Sequence, residues 1–444
     1  MEVSFLNQPY CIIDKLICGK MDTEKQVSNQ GGIEMNYHPS KERKAAVEHL
    51  VSLKKVQKAL AFLEADHEHT INQQIELCLI PAPTFHEEKK AERLAEMFVE
   101  AGLSDVTITP YGNVTGVRKG RNSERKVLLD GHMDTVYPLD TPLYLRRDEE
   151  FIYLPGIADD TRALAAELSV IRALDHANIE TEKDLIFMGS VEEEGKGGFG
   201  GIRNFLENSD DIDACICIDG DGSTGIIYQS TGFKTIEVTY HGVSGHAFAH
   251  FGELANPLHA AARAVAKISD IQVPEYPKTT YCVSNFHAGN DAGIHAFASE
   301  AVLKINYRSN GQKELEELDA KIMKAIDDAA KEETARWNKN EITYTIKTWV
   351  DVQAGSLDEH DEIVETTWCA IEAIGNTPDL RKGGPTNASI PICNGIPAVC
   401  IGAGNTECYV HNAQKERFPL KESYKMPQLA LLLALSMAKM IEED

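Results

Sequence analysis

The sequence predicts an α/β protein: a mainly parallel sheet with helices on both faces, carrying an inserted α+β module of ferredoxin-like order. Three patterns predict it. Apolar runs short enough to be buried strands alternate with helical segments up to residue 232. Strand, helix, strand, strand, helix, strand then follow over residues 233–350, and helix, buried strand and helix return over 351–444. Strands buried on both faces read as continuous apolar runs, and the crossovers joining parallel strands cover those faces with helices.

The elements follow in order. KERKAAVEHLVSLKKVQKALAFLEADHEHTINQQIELCLI has apolar residues three or four apart, the helical period, and Pro81-Ala82-Pro83-Thr84 breaks it. Glu87 to Ala101 reads as a second helix and VTITPYGNVTGVRKG as a hairpin. KVLLDGHMDTV is a buried strand running into a loop, TRALAAELSVIRAL a helix, DLIFMGSV a strand, FGGIRNFLE a helix and ACICID a strand. From Phe233, FKTIEVTYHG alternates as a strand and NPLHAAARAVAKI is a helix. YCVSNFHAG and EAVLKINYRS are successive strands, QKELEELDAKIMKAIDDAAKEETARW is a long helix, and EITYTIKTWV a last strand. That order, βαββαβ, is ferredoxin-like. The expected domains are an N-terminal extension (1–40), a larger domain in two parts (41–232 and 351–444) and the insertion (233–350). Residues 1–34 lack periodicity. They read either as a disordered extension or, since Gly31-Gly32 shortly before Met35 is what a translated ribosome-binding site would look like, as sequence upstream of a start at Met35.

Composition narrows the function. Hydrophobic residues at 43% and charged residues at 25% are ordinary for a globular chain of 444 residues. A formal net charge of -25 argues against nucleic acid or an anionic membrane as partner. No apolar run approaches the ~18 residues of a membrane span, and the N-terminus has neither a basic n-region nor a clear apolar h-region. The ten cysteines include no CxxC pair and read as small buried hydrophobes in a reducing compartment, so a cytoplasmic protein is expected.

The apolar strands of the larger domain end in potential metal ligands. KVLLDGHMDTV ends with His132 and Asp134, LPGIADDTR supplies Asp159 and Asp160, LIFMGSVEEEG supplies Glu192, Glu193 and Glu194, and CICIDGDG supplies Asp219 and Asp221. Ligands of open parallel sheets sit at the carboxyl ends of strands, and charges placed just beyond apolar strands are costly unless paired, solvated or metal-bound. One such end would be ordinary helix capping; four, with a histidine among them, point to a metal centre. Residues i and i+2 of a strand face the same way, so His132 would bind metal while Asp134 holds its other ring nitrogen. Gly195-Lys196-Gly197-Gly198-Phe199-Gly200 matches the dinucleotide fingerprint G-x-G-x-x-G. That reading fails on charge, because three glutamates stand where a pyrophosphate would approach.

With GHMDTV, GIADDTRALA, VEEEGKGG, IDGDG, SGHAFAH, GGPTNASIP, GIPAVCIGAG and HNAQKE in this order, nearly all the chain after about residue 45 resembles one family. It is the zinc exopeptidase and amidohydrolase family of peptidase T, glutamate carboxypeptidase, aminoacylase and acetylornithine deacetylase. The resemblance implies two Zn2+ ions, with Co2+ or Mn2+ also suited to such nitrogen and oxygen donors. It implies His132 and Asp219 on one ion, Glu194 and His411 on the other, Asp159 bridging both, and a cis Asp159–Asp160 peptide. Glu193 is implied as general base, with the register Glu192-Glu193 as the alternative. A water shared by two metals about 3.5–4 Å apart is acidified toward neutrality, and Glu193 would take its proton as it attacks an amide carbonyl.

The insertion resembles the family's lid or dimerisation domain, so a homodimer is expected. His246 in SGHAFAH matches a lid histidine that steadies the oxyanion, and Arg308 in INYRSN matches a substrate-carboxylate position or is a plain surface arginine. His241, His250, His259 and His295 read as surface or packing residues. Thr386-Asn387 stands where Thr-Asp is common, with Asn387 the implied substrate-binding residue, and Gly293-Ile294-His295-Ala296 departs from the family's second lid hairpin; both positions lie near substrate in the family, so specificity does not carry over. Aspartate at 219 leans toward aminopeptidases and dipeptidases, the peptidase T-like members. The implied reaction is cleavage of a terminal amide bond of a short peptide. Deacylation of an N-acyl amino acid, or hydrolysis of a ureido compound, is the alternative, and a non-catalytic binding protein is the remote one.

Overall fold

Val127, Leu128 and Leu129 are fully buried at the middle of an eight-stranded sheet in the computed structural model, which describes residues 37–219, 224–289, 293–337, 340–402 and 408–442. The start at Met35 and the candidate ligand Asp221 lie outside the described residues. The strand order is Ser104–Ile108, Val114–Arg118, Lys183–Ser190, Asn122–His132, Ile212–Ile218, Ala398–Ile401, Gly225–Ile227 and Asp379–Arg381. The third to sixth of these run parallel, with Leu128 paired to Ile186 on one side and Cys215 on the other. Successive residues point to opposite faces. Leu129, Phe187 and Ile216 pack with the helices Thr161–Ala177 and Lys425–Ala438, while Leu128, Met188 and Cys217 pack with the helix Gly200–Glu207 and the segment Ser389–Cys393. Helices on both faces explain why these strands read as unbroken apolar runs.

Residues 232–352 form a second, four-stranded antiparallel sheet in the order Thr279–Ala288, Glu300–Ser309, Gly232–His241, Thr343–Val352. Its strands and the helices Pro257–Ser269 and Gln312–Trp337 follow in the βαββαβ order predicted. One face only is covered: Ile236, Val238, Tyr240, Leu303, Ile305 and Tyr307 are buried under the two helices, and the residues between them are not. That half-burial is the source of the clean alternation in FKTIEVTYHG.

Two details differ from the expected elements. The long helical stretch after Ser40 is three helices, Lys41–Ser52, Lys54–Ala65 and His67–Cys78, because Leu53 takes an extended conformation and Asp66 separates the second from the third. The run LPGIADD is not the end of a main-sheet strand. Phe151–Tyr153 pairs with Arg417–Pro419 in a separate three-stranded sheet, and Ile152, Leu154 and Ile157 pack with Ile71 and Phe418 in a satellite core. Asp159 therefore arrives from a turn ahead of the helix Thr161–Ala177. Gly131 lets that helix close on the sheet: a Cβ there would meet Ala163 Cβ at 2.5 Å. Among the described residues no helix is long and apolar enough to cross a membrane.

Candidate metal centre

The parallel strands deliver their last residues to one edge of the sheet, the carboxyl end where open α/β sheets bind ligands. His132 closes Asn122–His132, Asp219 follows Ile212–Ile218, and Glu192, Glu193 and Glu194 follow Lys183–Ser190. Asp159 and His411 come from turns. Three sets of side chains converge, each with one donor atom per residue within 4.8 Å of the others: His132, Glu193, Glu194; His132, Asp159, Asp219; and Asp159, Glu194, His411.

Asp159 stands between the two histidines. Its Oδ1 is 3.0 Å from His132 Nε2, and its Oδ2 is 3.0 Å from His411 Nε2. His411 Nε2 also lies 2.9 Å from Glu194 Oε1. The other ring nitrogen of His132 is 3.0 Å from the Asp134 carbonyl oxygen and 3.3 Å from its carboxylate. The Asp134 carboxylate accepts the backbone N–H of Glu193 at 3.1 Å and of Glu194 at 3.0 Å, and the Thr84 hydroxyl at 2.9 Å. Asp160 accepts the His132 N–H at 3.0 Å, and the Asp159–Asp160 peptide is cis. Glu192 turns aside at φ +58° and accepts the Tyr111 hydroxyl at 2.7 Å, so the alternative glutamate register would use a side chain directed out of the three sets.

His132, Asp134 and Asp160 are all but inaccessible, whereas His411 is half exposed. Burial pushes the Glu193 carboxyl well up, and the neighbouring charges of Asp219, Glu194 and Asp134 add to this against the opposing effect of His132. Burial also opposes the charged form of His132, but Glu193, Asp134 and Asp159 outweigh it and raise its pKa. Hydrogen bonds to Asp159 and Glu194 raise His411 to about 10. Burial opposes ionisation of Asp159 too, yet His132 and His411 hold it below the usual carboxylate range. So many carboxylates around two histidines form a locus of concentrated negative charge, which a divalent cation would neutralise.

The remaining predicted residues, His246, Arg308 and Asn387, are not members of these three sets. His246 is exposed, with its ring 5.2 Å from that of His295. Arg308 is exposed too, 5.1 Å above the Phe233 ring and bonded to Asn306. Asn387 is 2% exposed, and its amide donates to Asp130 and Ser190, each at 2.8 Å. Sequence reasoning did not single out Thr84, Lys90 or Glu416. Lys90 is buried and donates to the Met133 carbonyl at 2.9 Å. Glu416, 2% exposed, is bonded to the turn that carries Asp159. In the sequence Glu416 is only an acidic residue closing HNAQKE, and nothing there marks it as buried.

Four carboxylates and two histidines converging beside a parallel sheet are the working parts of an α/β metallohydrolase. The chain belongs to peptidase family M20/M25/M40, whose family model matches residues 128–435. It is an enzyme of the kind that hydrolyses peptide or other amide bonds. It is 24% identical over 384 residues to the uncharacterized protein YqjE of Bacillus subtilis (strain 168), spanning 83% of this chain and 98% of that protein. It is 26% identical over 353 residues to a succinyl-diaminopimelate desuccinylase of Methylibium petroleiphilum, spanning 74% of this chain and 86% of the relative. In fold it is similar to the aminopeptidase PepT of Bacillus cereus ATCC 10987, with a TM-score of 0.68 and 22% identity over 84% of this chain and 99% of that one.

Proposed function

We propose that the chain is a dizinc exopeptidase that cleaves a terminal amide bond of a short peptide, of aminopeptidase, tripeptidase or dipeptidase type. The observation that carries this reading is Asp159, whose two carboxylate oxygens face two different histidines. The donor set fits a pair of divalent ions: nitrogen and oxygen donors with no cysteine, in two three-residue sets that share Asp159. His132 and Asp219 would hold one ion, Glu194 and His411 the other. Bound there, the ions would polarise the scissile carbonyl and acidify a water.

The chain's own residues do the rest. Glu193, buried beside the cluster and raised in pKa, takes the proton of the attacking water on its carboxylate. It then returns that proton to the departing amine nitrogen as the C–N bond breaks. Asp134 fixes the ring of His132 and the backbone of Glu193 together, so base and ligand keep their spacing. The four-stranded module serves as lid and dimer contact, His246 steadying the oxyanion in the partner's site and Arg308 meeting the substrate carboxylate. Light scattering on the purified chain tests the dimer.

Hydrolysis of an N-acyl amino acid is the second reading, favoured by relatives named succinyl-diaminopimelate desuccinylase. Assaying the zinc-loaded protein against tripeptides, dipeptides and N-acyl amino acids separates the two. Turnover of peptides with a free amino terminus supports the exopeptidase, and turnover confined to acyl substrates overturns it.

A further inference from the structure

Asp159, whose two carboxylate oxygens face the two histidines, sits in a turn. Among the described residues, the backbone N–H groups of Gly156, Ala158 and Asp159 all point at one side chain from far along the chain. Glu416 Oε2 accepts Gly156 N at 2.9 Å, and Glu416 Oε1 accepts Ala158 N at 3.0 Å and Asp159 N at 3.3 Å. The Tyr137 hydroxyl donates to Oε2 as well, so each oxygen takes two donors, the full capacity of a carboxylate. Glu416 is in turn tied to the segment that carries His411: its own N–H bonds the Asn412 carbonyl at 2.8 Å, and Lys415 N bonds the same oxygen at 2.9 Å. Arg417–Pro419, directly beyond, pairs with Phe151–Tyr153, the strand that leads into the Asp159 turn.

We propose that Glu416, oriented by Tyr137, is a positioning residue that sets Asp159 against His411 and thereby fixes the shared geometry of the two metal sites. One buried side chain carries the constraint from the turn of one ligand to the turn of another. An apolar residue could fill the space but would leave three N–H groups without acceptors. A neutral amide would turn an NH2 group toward N–H donors on one of its two sides. The inference rests on the dimetal reading of the centre.

The test is titration of the metal-free full chain with Zn2+ in competition with a chromophoric chelator, alongside the Co2+ absorption spectrum, for the unaltered protein, Glu416→Gln and Tyr137→Phe. The unaltered protein should take two ions. Glu416→Gln, with unchanged far-ultraviolet circular dichroism, should bind both roughly 10- to 100-fold more weakly, the range that outer partners of metal ligands command. Its Co2+ bands should shift. Tyr137→Phe should weaken binding in the same direction and by less. If the unaltered protein takes no metal, the dimetal reading itself fails. If it takes two and both variants match it in affinity and spectrum, Glu416 is only a folding residue and the inference is overturned. If Glu416→Gln does not fold, Tyr137→Phe decides: unaltered affinity and spectrum overturn the inference, and weakened binding supports it.

Discussion

The Asp134 side chain holds the backbone of Glu193: its fully buried carboxylate accepts the Glu193 N–H at 3.1 Å while it also faces the ring of His132 at 3.3 Å. One carboxylate therefore sets the proposed base and a proposed ligand in a common frame. Asp134→Asn keeps the volume but turns an NH2 toward one of these donors. Activity should fall by roughly 10- to 100-fold, the usual cost of removing an outer partner of a metal ligand. Steady-state kinetics should place the loss in kcat more than in KM, since substrate contacts stay in place.

Glu193 offers the cleanest separation of chemistry from binding. Glu193→Gln should keep the ions, because the sets formed by His132, Asp159, Asp219 and by Asp159, Glu194, His411 are complete without it, although Glu193 also lies within reach of His132 and Glu194 in the third set. Loss of a general base should lower kcat by about 10²- to 10⁴-fold. Zinc content by elemental analysis and kcat on the same preparation check this together.

Metal removal should lower stability as well as activity. The centre crowds four carboxylates, and a ligand that binds only the folded state stabilises it by about 2.7 kcal/mol at a free concentration 100 times its Kd. Dialysis against a chelator should abolish turnover and lower the thermal midpoint, and adding Zn2+ back should restore both. Binding should also release protons, since His411 is held near pKa 10 without metal and must lose its proton to ligate. Calorimetry in buffers of different ionisation enthalpy would register that release.

His67, which is not a member of the three sets, predicts a pH dependence of stability. Burial first, then the charge of Arg162, lower its pKa below 6.5 in the folded protein. The unfolded chain therefore binds the proton more readily, and stability is lost as pH falls below about 6.5 toward the folded value. Above pH 6.5 both states are neutral and the contribution is constant. Denaturant unfolding between pH 5 and 8 should show this slope, and His67→Gln should flatten it.

Much of this was legible in the residues. Strands buried on both faces leave continuous apolar runs, so Lys183–Ser190 and Ile212–Ile218 announced themselves and their terminal acids with them. The half-covered sheet left its alternation in FKTIEVTYHG. The Asp159 segment misled because LPGIADD is apolar for a different reason, the satellite core around Ile152 and Phe418, and so looks like a strand end without being one. The break at Leu53 was hidden because the apolar spacing continues across it. Glu416 carried no periodic signal at all: its partners are backbone N–H groups near residue 156, and backbone groups have no sequence signature.

The central claim is that Asp159 is shared by two metal sites, and zinc stoichiometry in substituted chains tests it most directly. The unaltered protein should hold two ions per chain, His411→Ala should hold one, and Asp159→Ala should lose high-affinity binding at both sites. An Asp159→Ala protein that is folded and still holds one ion with unaltered affinity would contradict the claim.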